Sequence, residues 1–406
     1  MRYLDVVSKK YDHYLLAAVI LLCIVGTVML FSASNSISLD QTQRVTATVY
    51  LQAHLKRLLV GITMMFAIMM IDYRNLKIAA KYLLIGSIAL LLITKLSYLL
   101  QGNSSPARWL YLGSYSIQTS DIARLAMIIF LAAYVDHYRD QIKDFYNGFA
   151  LPIGIIAVVM VLIVIQPDFS TAAIIGLIGF MILFIGGARI SHLLATGTAS
   201  LLVLTPIMLM KPYRLQRILT YFYGESAGVE ESYQIKQSLI SLGNGGFIGL
   251  GLGNSLGKNL FLPTPHTDFI FAIIGEELGL VGTVLILSIF LFIFQRGIKI
   301  AKESMDTFGI LLAIGISFNF ILYAFINAAV VTGVVPTTGL SMPLISYGGS
   351  GLVINLVSIG ILLNISQAKR SLIHKSGWSP RVYLSLIHIS EPTRPRLISY
   401  AVFCLK

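Results

Sequence analysis

Apolar residues run along this chain in blocks of about twenty, the length that carries an α-helix across a hydrocarbon core of about 30 Å. Blocks of this kind fall at about 14–33, 55–71, 79–99, 120–136, 149–166, 170–187, 190–210, 267–295, 307–333 and 345–366. They do not show the short alternating segments of a transmembrane barrel. The expected fold class is therefore all-α: a polytopic integral membrane protein of about ten transmembrane helices, filling residues 1–370. The first block follows Lys9 and Lys10 and ends near a Ser-Ala-Ser that resembles a signal-peptide cleavage site. It is of spanning length and further blocks follow, so it is read as the first span.

Composition sharpens this picture. The 406 residues are 56% hydrophobic and 12% charged, with a mean hydropathy of +0.81, against about 25% charged in soluble domains. The net charge of +12 does not point to nucleic acid, because the basic residues lie in short loops beside the blocks. Arg74, Lys77, Lys81, Arg139, Lys143, Arg189, Arg296, Lys299 and Lys302 all fall on one side if the N-terminus is inside. The positive-inside rule thus predicts an N-in, C-in topology. Two cysteines, Cys23 and Cys404, and seven scattered histidines leave no basis for a disulfide framework or a dedicated histidine metal cluster.

In that topology residues 211–266 form a large extracytoplasmic loop between helices 7 and 8. Its aromatic and aliphatic content predicts one or two short amphipathic helices on the bilayer surface. Residues 371–383 read as a cytoplasmic tail. Residues 384–406 shift to Pro, Arg and Ser, resemble translated sequencing-adapter DNA, and are expected to be a non-native or disordered tail.

Four stretches carry candidate chemistry, all on the outer side. In "FLPTPHTDFIFAIIGEELGLVG" (261–282), Asp268 opens the eighth span and Glu276 and Glu277 lie two to three turns inward. Carboxylates are costly in hydrocarbon, so each needs a role. For Asp268 the residues leave two open: a helix cap, shared with Thr267, or a reacting group. The glutamates read as structural partners of buried donors. In "SSPARWLYLGSYSIQTSDIARLAMIIF" (104–130), Asp121 and Arg124 have the i,i+3 spacing of an intrahelical ion pair. Arg124 and Arg108 are alternatively ligands for a lipid diphosphate, with Trp109 as an interfacial anchor. The run 243–257 is glycine-rich but fails the phosphate-loop spacing at Leu252 and Asn259. Its glycines are expected to let backbone N–H groups approach an anion or lipid head group. Finally, the glycines and prolines of "NAAVVTGVVPTTGLSMPLISYGGSG" (327–351) predict irregular backbone lining a cavity. The topology alone leaves transporter and lipid-processing enzyme equally open.

These motifs resemble the SEDS family (shape, elongation, division and sporulation) of bacterial wall synthesis, over nearly all of residues 10–370. "LPTPHTDFIFAIIGEELG", "NAAVVTGVVPTTGLSMPLISYGGSG", "QPDFSTA", "PYRLQR" and "ARWLYLGSYSIQTSDIAR" correspond in order, and "YQIKQSLISLGNGGFIGLGLGNS" looks closer to the FtsW-like division branch than to the RodA-like one. Departures are Asp121 and Arg124, where the family has Glu and Lys, and Gly351, where it has Ser or Ala. The resemblance implies an inverting peptidoglycan glycosyltransferase that polymerises lipid II on the outer face of the bacterial cytoplasmic membrane. Implied partners are a class B penicillin-binding protein and other divisome or elongasome membrane proteins. It implies Asp268 as catalytic base and Arg108, Asp121, Arg124, Arg214, Arg217, His266 and Ser346 as substrate-binding or cavity-shaping residues. It implies no cofactor firmly, and a divalent cation (Mg or Mn) is a candidate helper at the leaving phosphates. The competing readings are a lipid II flippase and a non-catalytic scaffold for the penicillin-binding protein. Reactive groups gathered at one mouth, above spans of plain Leu, Ile and Val, favour the enzyme.

Overall fold

The computed structural model describes residues 11–41, 49–100, 108–112, 115–209, 230–257 and 267–376. The described residues hold eleven α-helices and one hairpin, with a short 3-10 turn (Arg139–Gln141) and a π-helical turn (Tyr146–Ala150) between α4 and α5: α1 (His13–Gln41), α2 (Val49–Met70), α3 (Arg74–Leu100), β1 (Trp109–Leu112), β2 (Tyr115–Gln118), α4 (Thr119–His137), α5 (Leu151–Ile165), α6 (Phe169–Ile185), α7 (Ile190–Leu209), α8 (Glu230–Gly245), α9 (Ile270–Glu303), α10 (Thr307–Val331) and α11 (Ser350–Ser376). A helix overlaps every predicted apolar block. Seven of them (α1, α2, α3, α5, α9, α10 and α11) are long and apolar enough to cross a membrane, and α6 is a shorter apolar helix. Three charged residues, Asp121, Arg124 and Asp136, set α4 apart, and its length is almost wholly buried. It forms the centre of a polytopic, helical membrane fold.

Lipid is as apolar as leucine, so close packing rather than water exclusion holds such helices together. At the α2–α11 contact, Gly61 faces Val353 and Leu356, and Gly360 faces the backbone of Met65. At the end remote from Asp268, polar ties join the elements. Arg296 Nε donates to Asp12 Oδ2 at 3.1 Å and Lys77 pairs with Asp136 at 2.5 Å. Tyr73, in the turn before α3, donates its hydroxyl to Asp306 Oδ1 at 2.6 Å. Burial, reinforced by that carboxylate, pushes the Tyr73 phenol up to about 12.

The hairpin is the departure from an all-helical reading. Trp109 pairs with Gln118 and Leu112 with Tyr115, antiparallel. Two runs rich in aromatic and branched residues, separated by Gly-Ser, are the local signal for it.

Candidate functional site

Asp268 lies in the turn that leads into α9, half-buried. The N-cap position of that helix falls on Phe269 and has no side-chain cap bond, so Asp268 stands one residue before the cap position. Its backbone is fixed from α10: Asn327 Nδ2 donates to the carbonyls of Asp268, at 2.8 Å, and Leu340, at 2.7 Å. One side chain thus joins the start of α9 to the loop between α10 and α11. Across from the Asp268 carboxyl sits Gly339 (φ +70°), where a Cβ would lie 3.6 Å from Asp268 Oδ2. The positive φ requires glycine here, and it leaves the space beside the carboxyl clear. The loop is anchored again where Ser170, at the start of α6, donates to the Thr338 carbonyl at 2.8 Å.

One turn further in along α10 a second polar group forms. Arg124 Nη1 meets Asp121 Oδ1 at 3.3 Å, Arg124 Nη2 meets Asn355 Oδ1 at 3.3 Å, and the guanidinium lies 4.3 Å from the Tyr323 ring centre. Both charged residues are buried. Tyr323 and Asn327 are four residues apart, so this cluster sits about 6 Å below the clamp on Asp268. Gly351 closes over Asp121, with 3.1 Å between Asp121 Oδ2 and where a Cβ would stand. Beside it Asp168 caps α6 by accepting from Thr171 N at 3.3 Å, and its Oδ2 takes Ser120 Oγ at 3.0 Å and Gln118 Nε2 at 3.1 Å.

Glu276 and Glu277 have a different fate. Gly279 (φ 67°, ψ −168°) breaks α9, depriving the N–H groups of Leu280 and Val281 of helical partners and leaving the carbonyls of Glu276 and Glu277 unclaimed. The glycine-rich segment after α8 splices into the gap. Leu280 N and Val281 N donate to the carbonyls of Gly246 and Phe247 at 2.9 and 3.2 Å, while Leu250 N and Gly251 N donate to those of Glu276 and Glu277 at 2.9 and 3.0 Å. The same segment receives the side chains. Glu276 accepts from Ser255 Oγ (2.5 Å), Gly257 N (3.1 Å) and Leu256 N (3.2 Å), and Glu277 from Ser32 Oγ (2.6 Å). At Gly249 (φ +90°) a Cβ would collide with the Glu277 carbonyl. The carboxylate that a glycine N–H of this run approaches is the protein's own Glu276, through Gly257. The predicted short helix of this loop is α8, which packs against α9 and α10, with Ser238 Oγ donating to the Val331 carbonyl at 2.9 Å.

Of the other candidates, Arg108 is half-buried at the start of β1, and the neighbouring Trp109 ring lies against Gly349. Ser346 is buried and accepts Met342 N at 2.8 Å, closing the loop's own turn. Arg214, Arg217 and His266 lie outside the described residues, as do the rest of 211–229 and 258–266 and residues 377–406. Sequence reasoning gave no role to Asp168, Tyr323, Asn327 or Asn355. Polar residues inside apolar blocks, and an Asp just before a helix, were the available signals.

Residues 12–371 match the FtsW/RodA/SpoVE family, described as cell cycle proteins. The chain is 35% identical, over 88% of its length and 95% of the relative's, to a "Probable peptidoglycan glycosyltransferase FtsW" of Geobacter sulfurreducens. It is 35% identical to "Stage V sporulation protein E" of Bacillus subtilis, covering 89% of this chain and 99% of that one. Among solved structures, one described as "Structural coordination of polymerization and crosslinking by a peptidoglycan synthase complex" aligns with a TM-score of 0.72 at 25% identity, over 88% of this chain and 98% of that chain. The rod shape determining protein RodA of Thermus thermophilus aligns at 0.65 and 24% identity, over 88% and 97%.

Proposed function

The chain belongs to the FtsW/RodA/SpoVE family of cell cycle proteins, and we propose that it is a peptidoglycan glycosyltransferase polymerising lipid II at the outer face of the bacterial cytoplasmic membrane, in cell division. The observation that carries this reading is the setting of Asp268. Its backbone is locked by Asn327, and its carboxyl lies next to a position kept free of any side chain by Gly339.

Chain growth requires an acceptor sugar 4-hydroxyl to lose its proton as the oxygen attacks the anomeric carbon of the donor. The C–O bond to the diphosphate breaks in the same displacement, which inverts the α-linked donor to a β-linked product. Asp268 takes the proton, a contribution of about 10²–10⁴-fold. The leaving diphosphate is received by cationic side chains, with Arg108, Arg124, Arg214 and Arg217 as candidates. The buried Arg124–Asp121 pair holds the lower wall of the site, and Ser346, in its closed turn, shapes the loop above. His266, two residues before Asp268 in the sequence, is a candidate contact for the sugar-peptide. Among the described residues no three His, Cys, Asp or Glu gather in a metal cage. A Mg or Mn ion would be held chiefly by the substrate phosphates and water.

A class B penicillin-binding protein is the proposed partner, supplying cross-linking, with other divisome or elongasome membrane proteins around it. The distribution of basic residues in the sequence supports an N-in, C-in orientation. The test is glycan polymerisation from purified lipid II by purified protein, alone and with a penicillin-binding protein whose transpeptidase is blocked. Wild type makes polymer, and Asp268→Asn loses about 10²–10⁴-fold while folding and binding the partner normally. Lipid II transfer across liposomes without polymer would establish the flippase instead. Partner recruitment with neither activity would establish the scaffold.

A further inference from the structure

The outer end of α2 holds a polar cluster that the polymerase reading leaves unused. Tyr50, His54, Arg57 and Gly61 recur at helical spacing and share one face, with Gly61 against Val353 and Leu356 of α11. Tyr347, in the loop just before α11, meets Tyr50 edge to face at 5.5 Å, and the Arg57 guanidinium lies 4.9 Å from the Tyr347 ring centre. His54 is fully buried, yet neither ring nitrogen has a hydrogen-bond partner, and the buried Arg57 Nη1 lacks one as well. Helical side chains lean toward the helix N-terminus, so the guanidinium of Arg57 reaches back toward the level of His54. Among the described residues no carboxylate pairs with Arg57.

Buried polar groups in native folds nearly always have partners. An arginine fork beside an imidazole, without an acid, matches the oxygens of a phosphate. The setting points to the source: Leu55, Leu59 and Val60 are exposed apolar side chains on the same helix, which is long and apolar enough to cross a membrane, so a ligand beside it is a lipid. We propose that His54 and Arg57, with Tyr347 as the backing ring, form a binding site for the phosphate group of a membrane lipid. The claim names phosphate chemistry and does not depend on Asp268. The lipid is either the diphosphate-linked substrate or an ordinary anionic phospholipid.

Native mass spectrometry of detergent-purified full-length protein separates these sources, using lipid II, phosphatidylglycerol and, as a phosphate-free control, diacylglycerol. Arg57→Ala weakens retention of phosphate-bearing lipid by about ten- to hundredfold and leaves diacylglycerol unchanged, while Arg57→Lys restores part of the loss. Weakening confined to lipid II assigns the site to the substrate diphosphate, and weakening of both lipids assigns it to phospholipid. His54→Phe removes two partnerless nitrogens, so its melting temperature in lipid-free detergent equals or exceeds wild type while phosphate-lipid retention falls. The proposal is overturned if Arg57→Ala retains both lipids as wild type does. It is equally overturned if His54→Phe melts lower with retention unchanged, which would make the imidazole a packing group only. Lipid retention is read without polymerisation, so failure here is distinct from failure of the polymerase reading.

Discussion

Asp268 and Glu276 sit on the same stretch of chain, eight residues apart, and have opposite surroundings. Glu276 is completely buried and spends its carboxyl oxygens on Ser255, Leu256, Gly257 and, at 3.5 Å, Asn244. Asp268 is half-buried, is held by its backbone, and has a glycine where a wall could stand. In a membrane protein both are costly residues. The difference teaches that cost alone does not mark a reacting group: a fully buried carboxyl enclosed by four donors is structural, whereas the half-buried Asp268 carboxyl faces a glycine across the site. Asp121 is a third case, buried but neutralised by Arg124.

The comparison can be broken in order of expected effect. Arg124→Ala leaves Asp121 as a buried charge without its partner and lowers stability by about 3–5 kcal/mol. Replacing both residues, as Asp121→Asn with Arg124→Met, recovers most of that loss in thermal unfolding, because no buried charge is left over. Glu276→Gln turns an all-acceptor group into one with an N–H₂ facing other donors, costing about 1.5–3 kcal/mol by the same measurement, with specific polymerising activity of the folded fraction retained. Gly249→Ala forces a Cβ into the Glu277 carbonyl at φ +90° and costs about 1–3 kcal/mol. Hydrogen exchange then shows faster opening at Leu280 and Val281, whose N–H groups depend on this segment.

How much of this was legible before folding follows from the range of each interaction. The apolar blocks are local, and each became a helix. The Asp121–Arg124 pair and the irregular loop at 332–349 were equally readable from neighbours in sequence. The splice of 246–257 into the break at Gly279 was not, because it pairs residues about thirty apart and its glycines look like any flexible loop. Asn327 gave no sign of reaching the Asp268 carbonyl, 59 residues away. The cap reading of Asp268 failed by a single residue: the chain enters α9 one position later than the Thr-Asp pair suggests, and Phe269 takes the cap position.

The most direct test of the central claim sets Asp268→Asn against Glu276→Gln in one experiment, measuring melting temperature and lipid II polymerisation for each. The account predicts that Asp268→Asn keeps its melting temperature and loses about 10²–10⁴-fold in polymerisation, while Glu276→Gln melts lower and polymerises at near wild-type specific activity. The reverse pattern, with Asp268→Asn polymerising normally, would contradict it.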